Sequence, residues 1–233
     1  MNITSRDTRL LGEYHAFGHP VEVWAAQVPL PHDTRFAAYE AELHPEARAR
    51  AARIATGTAR AQYVTGRALA RRVLSHRLKV PMAGILLGAT RTGRPFLAEP
   101  PRPEIDFNLS HSGRLTVLAV IRGARVGIDV EQASVERDFA GVAAGFFSPA
   151  EYDRWSRADA VDRTALWYRI WTRREAYVKA TGAGLRDIGH DHHGRGSTWA
   201  DIHLEPEPGH TCCVVVLLDR PCPPSIPPST CVR

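Results

Sequence analysis

Cysteine is scarce and comes late: Cys212, Cys213, Cys222 and Cys231 are the only four, and none forms a C-x-x-C pair. That spacing argues against a structural zinc framework or a disulfide scaffold and points to free thiols in a reducing compartment. Long apolar runs are missing too. Nothing approaches the roughly 20 residues that span a bilayer, and the opening MNITSRDTRLLGEYH has no apolar core of a secretory signal. The expectation is a cytoplasmic protein with no membrane partner. Acidic residues are outnumbered, 25 against 30 cationic, for a net charge of +5 and a pI near 9.3. The cations are mostly arginine, which suits bidentate phosphate recognition. A basic balance favours nucleic acid, a phosphorylated cofactor or an acidic protein as partner. A compositional arginine bias with solvated faces produces the same numbers.

What is present is ordinary for a globular chain: 233 residues, 44% hydrophobic and 24% charged, enough for one large domain or two small ones. Residues 21–28 read as a strand and 33–43 as a short helix. Residues 46–78, rich in alanine and arginine, read as one long helix or two, broken near Gly57 or Gly66. Short strands at 84–89 and 94–97 flank the turn Thr92-Gly93. The proline-rich stretch 98–104 is a candidate linker. Strands recur at 105–109, 115–121 and 126–131. Ser148-Pro149-Ala150-Glu151 carries a helix N-terminus, with Ser148 as N-cap and Glu151 at N3. A helix over 162–180 ends near Gly182, and strands at 198–204 and 211–218 follow. The pattern predicts an α+β fold with mainly antiparallel strands. It divides into halves at 1–104 and 105–218, with a proline-rich, disordered tail over 219–233.

Two segments carry the chemistry. In Val126-Gly127-Ile128-Asp129-Val130-Glu131 the two acids sit two residues apart, on one face of a strand. They repel unless solvated or bound to a cation, and oxygen donors of this kind suit Mg²⁺ with substrate phosphates as further ligands. The plain alternative is a solvated strand end. In Trp171-Thr172-Arg173-Arg174-Glu175-Ala176-Tyr177-Val178-Lys179, Glu175 falls on the apolar stripe of Trp167, Ile170, Trp171 and Val178. A core-facing carboxylate is costly unless paired or metal-bound. A Glu175–Lys179 helix pair explains the spacing but not the inward direction. Between them, Phe107-Asn108-Leu109-Ser110-His111-Ser112-Gly113 is a strand end running into a polar turn, open either to phosphate binding or to a structural role. Ser110 and His111, being adjacent, point to opposite strand faces and make a poor nucleophile–base pair. Arg91-Thr92-Gly93-Arg94-Pro95 is a glycine turn between arginines. The run His190-Asp191-His192-His193 reads as an adventitious metal binder.

Laid out in order, GRP at 93–95, FNLSHSG at 107–113, VGIDVE at 126–131, FFSPAEY at 146–152, WTRREAYVK at 171–179 and GAGL at 182–185 make the chain resemble the 4'-phosphopantetheinyl transferases of the surfactin-synthetase-activating type. The resemblance is dense over residues 93–185 and looser before them, where P-E-x-R-x-R stands at 45–50. It implies two similar α/β halves related by a pseudo-twofold, with coenzyme A in the cleft between them. It implies Mg²⁺, or Mn²⁺ in its place, on Asp129, Glu131 and Glu175, with Lys179 on the same phosphates and Glu175 and Lys179 as the catalytic pair. Asn108, Ser110 and His111 would line the coenzyme A site. Gly93, Arg94 and Pro95 would hold its adenine end, and Arg50, helped by Arg48, its 3'-phosphate. The partner would be an acyl or peptidyl carrier protein, and the enzyme a monomer that does not bind nucleic acid. Arg174 departs from the family's lysine and stays protonated, which removes a proton relay there; Ala47 stands where some relatives carry a base. Two other functions compete: a metal-dependent hydrolase of coenzyme A or nucleoside diphosphates, and a non-catalytic nucleic-acid-binding module using the arginines of 48–72. The second leaves the acidic cluster unexplained, because carboxylates repel a polyanion.

Overall fold

The structure, a computed structural model, describes residues 7–30, 32–134, 137–182 and 198–218. Strands β1 (Thr8–Ala16), β2 (His19–Gln27), β5 (Ile105–Ser112) and β6 (Leu115–Arg122) form one sheet in the order β1-β2-β6-β5. Strands β7 (Arg125–Gln132), β8 (Trp199–Leu204) and β9 (His210–Leu217) form a second, in the order β7-β9-β8. A small hairpin of β3 (Leu86–Ala89) and β4 (Pro95–Glu99) stands beside them. Every pairing among the described strands is antiparallel, as the sequence pattern predicts. The fold is mixed α/β.

The two sheets pack face to face. Alternate residues of β2 (Val21, Val23, Ala25), β6 (Leu115, Val117, Ala119, Ile121), β7 (Val126, Ile128, Val130) and β9 (Cys212, Val214, Val216) form one continuous buried core between them. The period of two puts the intervening residues outward, and each outer face is covered by a helix of 22 residues. Helix α3 (Gly57–Leu78) lays Leu69, Ala70, Val73 and Leu74 on Trp24, Ala26, Leu118 and Val120. Helix α6 (Ala160–Thr181) lays Ala176, Tyr177 and Ala180 on Cys213, Val215 and Leu217. The order of layers is helix, sheet, sheet, helix. Helices α1 (Thr34–Ala41) and α2 (Pro45–Ala52) pack on α3, while α4 (Phe139–Phe146) and α5 (Pro149–Ser156) join α6 in an aromatic cluster around Trp167.

The helical boundaries follow local chemistry. The predicted run 46–78 divides into α2 and α3 just before Gly57, where the Thr56 hydroxyl caps the second helix by accepting from Ala59 N–H. Ser148 and Glu151 form the expected capping box. Helix α6 stops at Gly182, whose φ of 75° is the left-handed conformation glycine adopts without strain. Strand β1 has no clean alternation, because a register shift between Leu10 and Gly12 breaks its period. The expected division at 104/105 falls ahead of β5 and β6, which belong to the same sheet as β1 and β2; the chain changes sheet between Arg122 and Arg125. The tail over 219–233, the run 190–193, Cys222, Cys231 and most of 182–185 lie outside the described residues.

Candidate active site

Strands β5 and β7 meet side by side, but their seam is not a backbone ladder. Four polar residues of β5 at every second position reach four amides of β7. Asp106 Oδ2 accepts from Val126 N–H at 2.8 Å, and Asn108 Oδ1 from Ile128 N–H at 3.0 Å. Ser110 Oγ accepts from Val130 N–H at 3.4 Å, and Ser112 Oγ from Gln132 N–H at 2.9 Å. Buried amides need partners, and here side chains supply them. The seam joins the two sheets and fixes β7, which carries Asp129 and Glu131, in register with the F-N-L-S-H-S-G strand.

Gly127 sets the other approach. A Cβ on it would lie 1.9 Å from the Ala176 carbonyl oxygen and 2.5 Å from Ala180 N. Only glycine lets α6 come this close to β7. The close approach brings Glu175 and Lys179 to Asp129. Lys179 Nζ donates to Asp129 Oδ1 at 2.6 Å and to Ser110 Oγ at 3.0 Å, and lies 3.6 Å from Glu175 Oε2. Ser110 Oγ donates to Asp129 Oδ1 at 2.8 Å. Glu131 Oε1 accepts from Trp171 Nε1 at 3.2 Å, and Oε2 accepts from Arg137 at 3.0 Å and Ser112 Oγ at 3.3 Å.

Three carboxylates, one ammonium and a low-dielectric setting perturb each other. Burial pushes the Glu175 carboxyl up to about 7, and the nearby Asp129 carboxylate adds to the rise. Burial works against the Lys179 charge, but Asp129 and Glu175 outweigh it and hold the ammonium above its ordinary range. Asp129 is 3% exposed, and its Oδ2 is buried with no hydrogen-bond partner among the described residues. A carboxylate oxygen without a partner beside a carboxyl that resists ionising is a place where a bound cation would supply the missing interaction. Asp129, Glu131 and Glu175 offer only hard oxygen donors, the set that suits Mg²⁺. Their donor chemistry suits such an ion, but the three carboxylates do not bring ligand atoms within 4.8 Å of one another: Glu131 is held by Trp171 and Arg137. Lys179 is one of only two lysines in a strongly arginine-biased chain, and it occupies the position where a compact ammonium with three donors meets Ser110, Asp129 and Glu175.

The other expected site residues lie at varying removes. Asn108 and Ser110 border the cluster but are committed to the seam. His111, exposed at the end of its strand, shares the α3 face with Phe107 and Leu109, opposite Ser110; partial desolvation of its ring, with Lys179, holds its pKa below the usual value. Gly93, with φ of 87°, makes the β3–β4 turn that delivers Arg94. The Arg94 guanidinium donates to Asp106 Oδ2 and to the Val126 carbonyl, both at 2.8 Å, and to the Lys179 carbonyl. It clamps the hairpin to the seam and to the end of α6, with Pro95 starting β4 behind it. Arg48 donates to the Ala41 and Leu43 carbonyls, and Arg50 lies over the Tyr63 ring; both sit on α2, which packs on α3.

Ser112, Arg137 and Asp106 did not stand out in the sequence. The alternation Asp106-x-Asn108-x-Ser110-x-Ser112 was the available signal for two of them; Arg137 had none. Arg174 has a defined place: buried, it donates to Glu151 Oε2, with its Nε at 2.7 Å, while Arg173 holds Glu151 Oε1 at 2.6 Å. Burial raises the Glu151 pKa, but Arg174, the Ser148 amide and Arg173 outweigh it and hold the carboxylate below its usual range. The charge that departs from the family's lysine thus anchors α5 to α6.

A carboxylate triad with a lysine, on the seam of a mixed α/β sandwich, defines a centre suited to a divalent cation and a phosphate-rich ligand. Comparison with known proteins gives that centre its family. Residues 29–122 match the model of the 4'-phosphopantetheinyl transferase N-terminal region, and residues 125–222 that of the 4'-phosphopantetheinyl transferase superfamily. The two matches meet where the chain changes sheet. A phosphopantetheinyl transferase of Thraustochytrium is 33% identical over 178 residues, 71% of this chain and 62% of that protein. The 4'-phosphopantetheinyl transferase HetI of Nostoc is 30% identical over 169 residues, 72% and 71% of the respective chains. A 4'-phosphopantetheinyl transferase of Bacillus subtilis is 36% identical over 103 residues, 44% of each chain. The chain therefore spans between about two fifths and seven tenths of the length of these relatives. It belongs to the 4'-phosphopantetheinyl transferase superfamily.

Proposed function

We propose that the protein moves the 4'-phosphopantetheine group of coenzyme A to a serine of an acyl or peptidyl carrier protein, leaving 3',5'-ADP. The observation that carries this reading is the buried, unpartnered Oδ2 of Asp129 beside Glu175 and Lys179, in a chain of this superfamily. Asp129, Glu131 and Glu175 would hold Mg²⁺, or Mn²⁺ in its place. The ion, when bound, neutralises the charge of the diphosphate and makes the phosphorus accessible to a nucleophile.

The remaining work falls to the chain's own groups. Glu175 takes the proton of the carrier serine hydroxyl as its oxygen bonds to the phosphorus bearing pantetheine. The bond from that phosphorus to the bridging oxygen breaks, and 3',5'-ADP leaves. Lys179 Nζ donates to the departing phosphate, where negative charge grows. Ser110 orients Lys179 and Asp129 together by bonding both. Such a reaction asks chiefly for positioning and charge neutralisation.

Arg94, Arg48, Arg50, Asn108 and His111 are proposed to face coenzyme A. Arg94 does so from a fixed clamp, Arg48 and Arg50 from α2, and Asn108 through the strand it secures. Among the described residues no helix is long and apolar enough to cross a membrane; a cytoplasmic monomer is part of the proposal. The acidic cluster weighs against nucleic acid as a partner. Intact-mass measurement of several apo-carriers after incubation with coenzyme A and Mg²⁺ tests the reading. A gain of one phosphopantetheine on any carrier is the expected result. Cleavage of coenzyme A without an acceptor would show a hydrolase instead.

A further inference from the structure

On the α6-facing side of the second sheet, one strand away from the acidic cluster, a different donor set has been assembled. His203 on β8 stands directly opposite Cys213 on β9, and Asp201 lies two residues before His203 on the same strand. Residues two apart on a strand share a face, and so do directly opposed residues. One ligand atom from each of the three lies within 4.8 Å of the others. Cys213 is fully buried. His203 Nε2 meets Asp201 Oδ2 at 3.1 Å, while its Nδ1 is buried with no hydrogen-bond partner among the described residues. Leaving a buried nitrogen without a partner is unfavourable, and a core filler has no use for one. The nearby cation Arg173 is already held by Glu151. The second sheet thus offers a thiol, an imidazole and a carboxylate to one point, with Asp201 opening it to solvent.

We propose that Asp201, His203 and Cys213 form a zinc site with three protein ligands and a fourth position open to solvent. Sulfur, nitrogen and oxygen donors together select a borderline-soft ion, whereas the all-oxygen cluster of Asp129, Glu131 and Glu175 selects a hard one. Cys213 is the register partner of Asp129 on the neighbouring strand as well as of His203, so the two sites are adjacent but chemically distinct. Binding breaks the Cys213 S–H bond, forms the metal–sulfur bond and releases the proton to buffer. The site stands independently of the transferase reading.

The test is a Co²⁺ titration of the full chain under reducing, oxygen-free conditions, read by the near-ultraviolet thiolate-to-cobalt absorption band and followed by Zn²⁺ displacement. One equivalent of band, displaced by Zn²⁺ and not by Mg²⁺, is expected. C213A removes it. H203Q and D201N, on the edge strand β8 where the fold tolerates change, weaken metal affinity by at least the roughly 10–100-fold that loss of an outer-sphere partner alone produces. D129N, E175Q and replacement of the histidines of 190–193 by alanine leave the band intact. Circular dichroism shows which variants are folded. The proposal is overturned if no band forms, if the band survives C213A and so belongs to another cysteine, if H203Q binds like the parent, or if the band is lost with the 190–193 histidines.

Discussion

Helices α3 and α6 have the same length and the same task, each covering the outer face of one sheet, yet they treat buried charge in opposite ways. On α3 the buried charges are arginines directed at carbonyl oxygens: Arg71 donates to the Glu42 and Met82 carbonyls, and Arg67 to Gly88. These bonds tie α3 to the loops around it. On α6 the buried Arg174 is paired with Glu151, and the charge on the apolar stripe is the half-buried Glu175, near the Asp129 carboxylate with Lys179 between them. The first arrangement directs guanidinium donors at backbone carbonyls, although Arg71 Nε has no partner among the described residues, and the second leaves the carboxylate oxygen Asp129 Oδ2 without one. The same device, a charge on an apolar stripe, is architecture where its partners are backbone and, in the function proposed above, a reaction centre where they are each other.

Cutting each helix at its charge separates the two most strongly. D129N and E175Q should each lower transfer of phosphopantetheine by roughly 10²–10³-fold, the range for loss of one preorganised charge contact. Without metal the melting temperature of E175Q should hold or rise, since a carboxylate repulsion is removed, whereas that of D129N should fall, since Lys179 loses its 2.6 Å ion-pair partner. Wild-type rates in either variant, measured by carrier mass shift, would break the assignment. G127A should be the largest stability defect, about 3 kcal/mol by urea denaturation, because the new Cβ collides with backbone at Ala176; any folded fraction should have lost activity as α6 moves off β7. On α3, R71A should cost about 2 kcal/mol by leaving two carbonyls without donors, with kcat close to that of the parent once folded. A fall in kcat matching that of E175Q would erase the contrast between the helices.

Asn108 tests the seam between the two regions. If its main task is to satisfy Ile128 N–H, N108A should lower stability by about 1–2 kcal/mol and leave KM for coenzyme A within a few-fold of the parent. A large rise in KM with an unchanged melting temperature would instead make Asn108 a ligand contact, as the family resemblance implies.

The parts of the molecule visible in the sequence are those whose signal is local. The i,i+2 acids of β7, the stripe that carries Glu175, the Ser148 cap and the Gly182 stop are each set by neighbours within a turn or a strand. The parts not visible depend on a distant partner. The alternating polar residues 106–112 are plain to read, but that they replace a backbone ladder with β7 depends on where β7 comes to rest. The resemblance gives Arg94 to the adenine end of coenzyme A; only the fold supplies Asp106, Val126 and the end of α6 as its partners. Strand β1 escapes because its bulge breaks the period, and the passage from one sheet to the other between Arg122 and Arg125 carries no local signal.

The smallest effect is the most direct measure of the unfinished charge on α6. The Glu175 carboxyl titrates near 4.5 when free, and in the folded protein it is pushed up to about 7, by burial first and by Asp129 next. Between those values the folded state holds a proton that the unfolded chain has lost. Stability without metal therefore falls as pH rises from about 4.5 towards 7 and levels off above it. E175Q should flatten that slope. Mg²⁺ and the proton compete for the same oxygens, so added Mg²⁺ should raise the wild-type melting temperature more at pH 8 than at pH 6, and should do so little in E175Q. R71A, which alters only α3, should keep the wild-type pH slope displaced to lower temperature. Parallel curves for wild type and E175Q would show that Glu175 is already paired, and the difference between the two helices would then be one of packing alone.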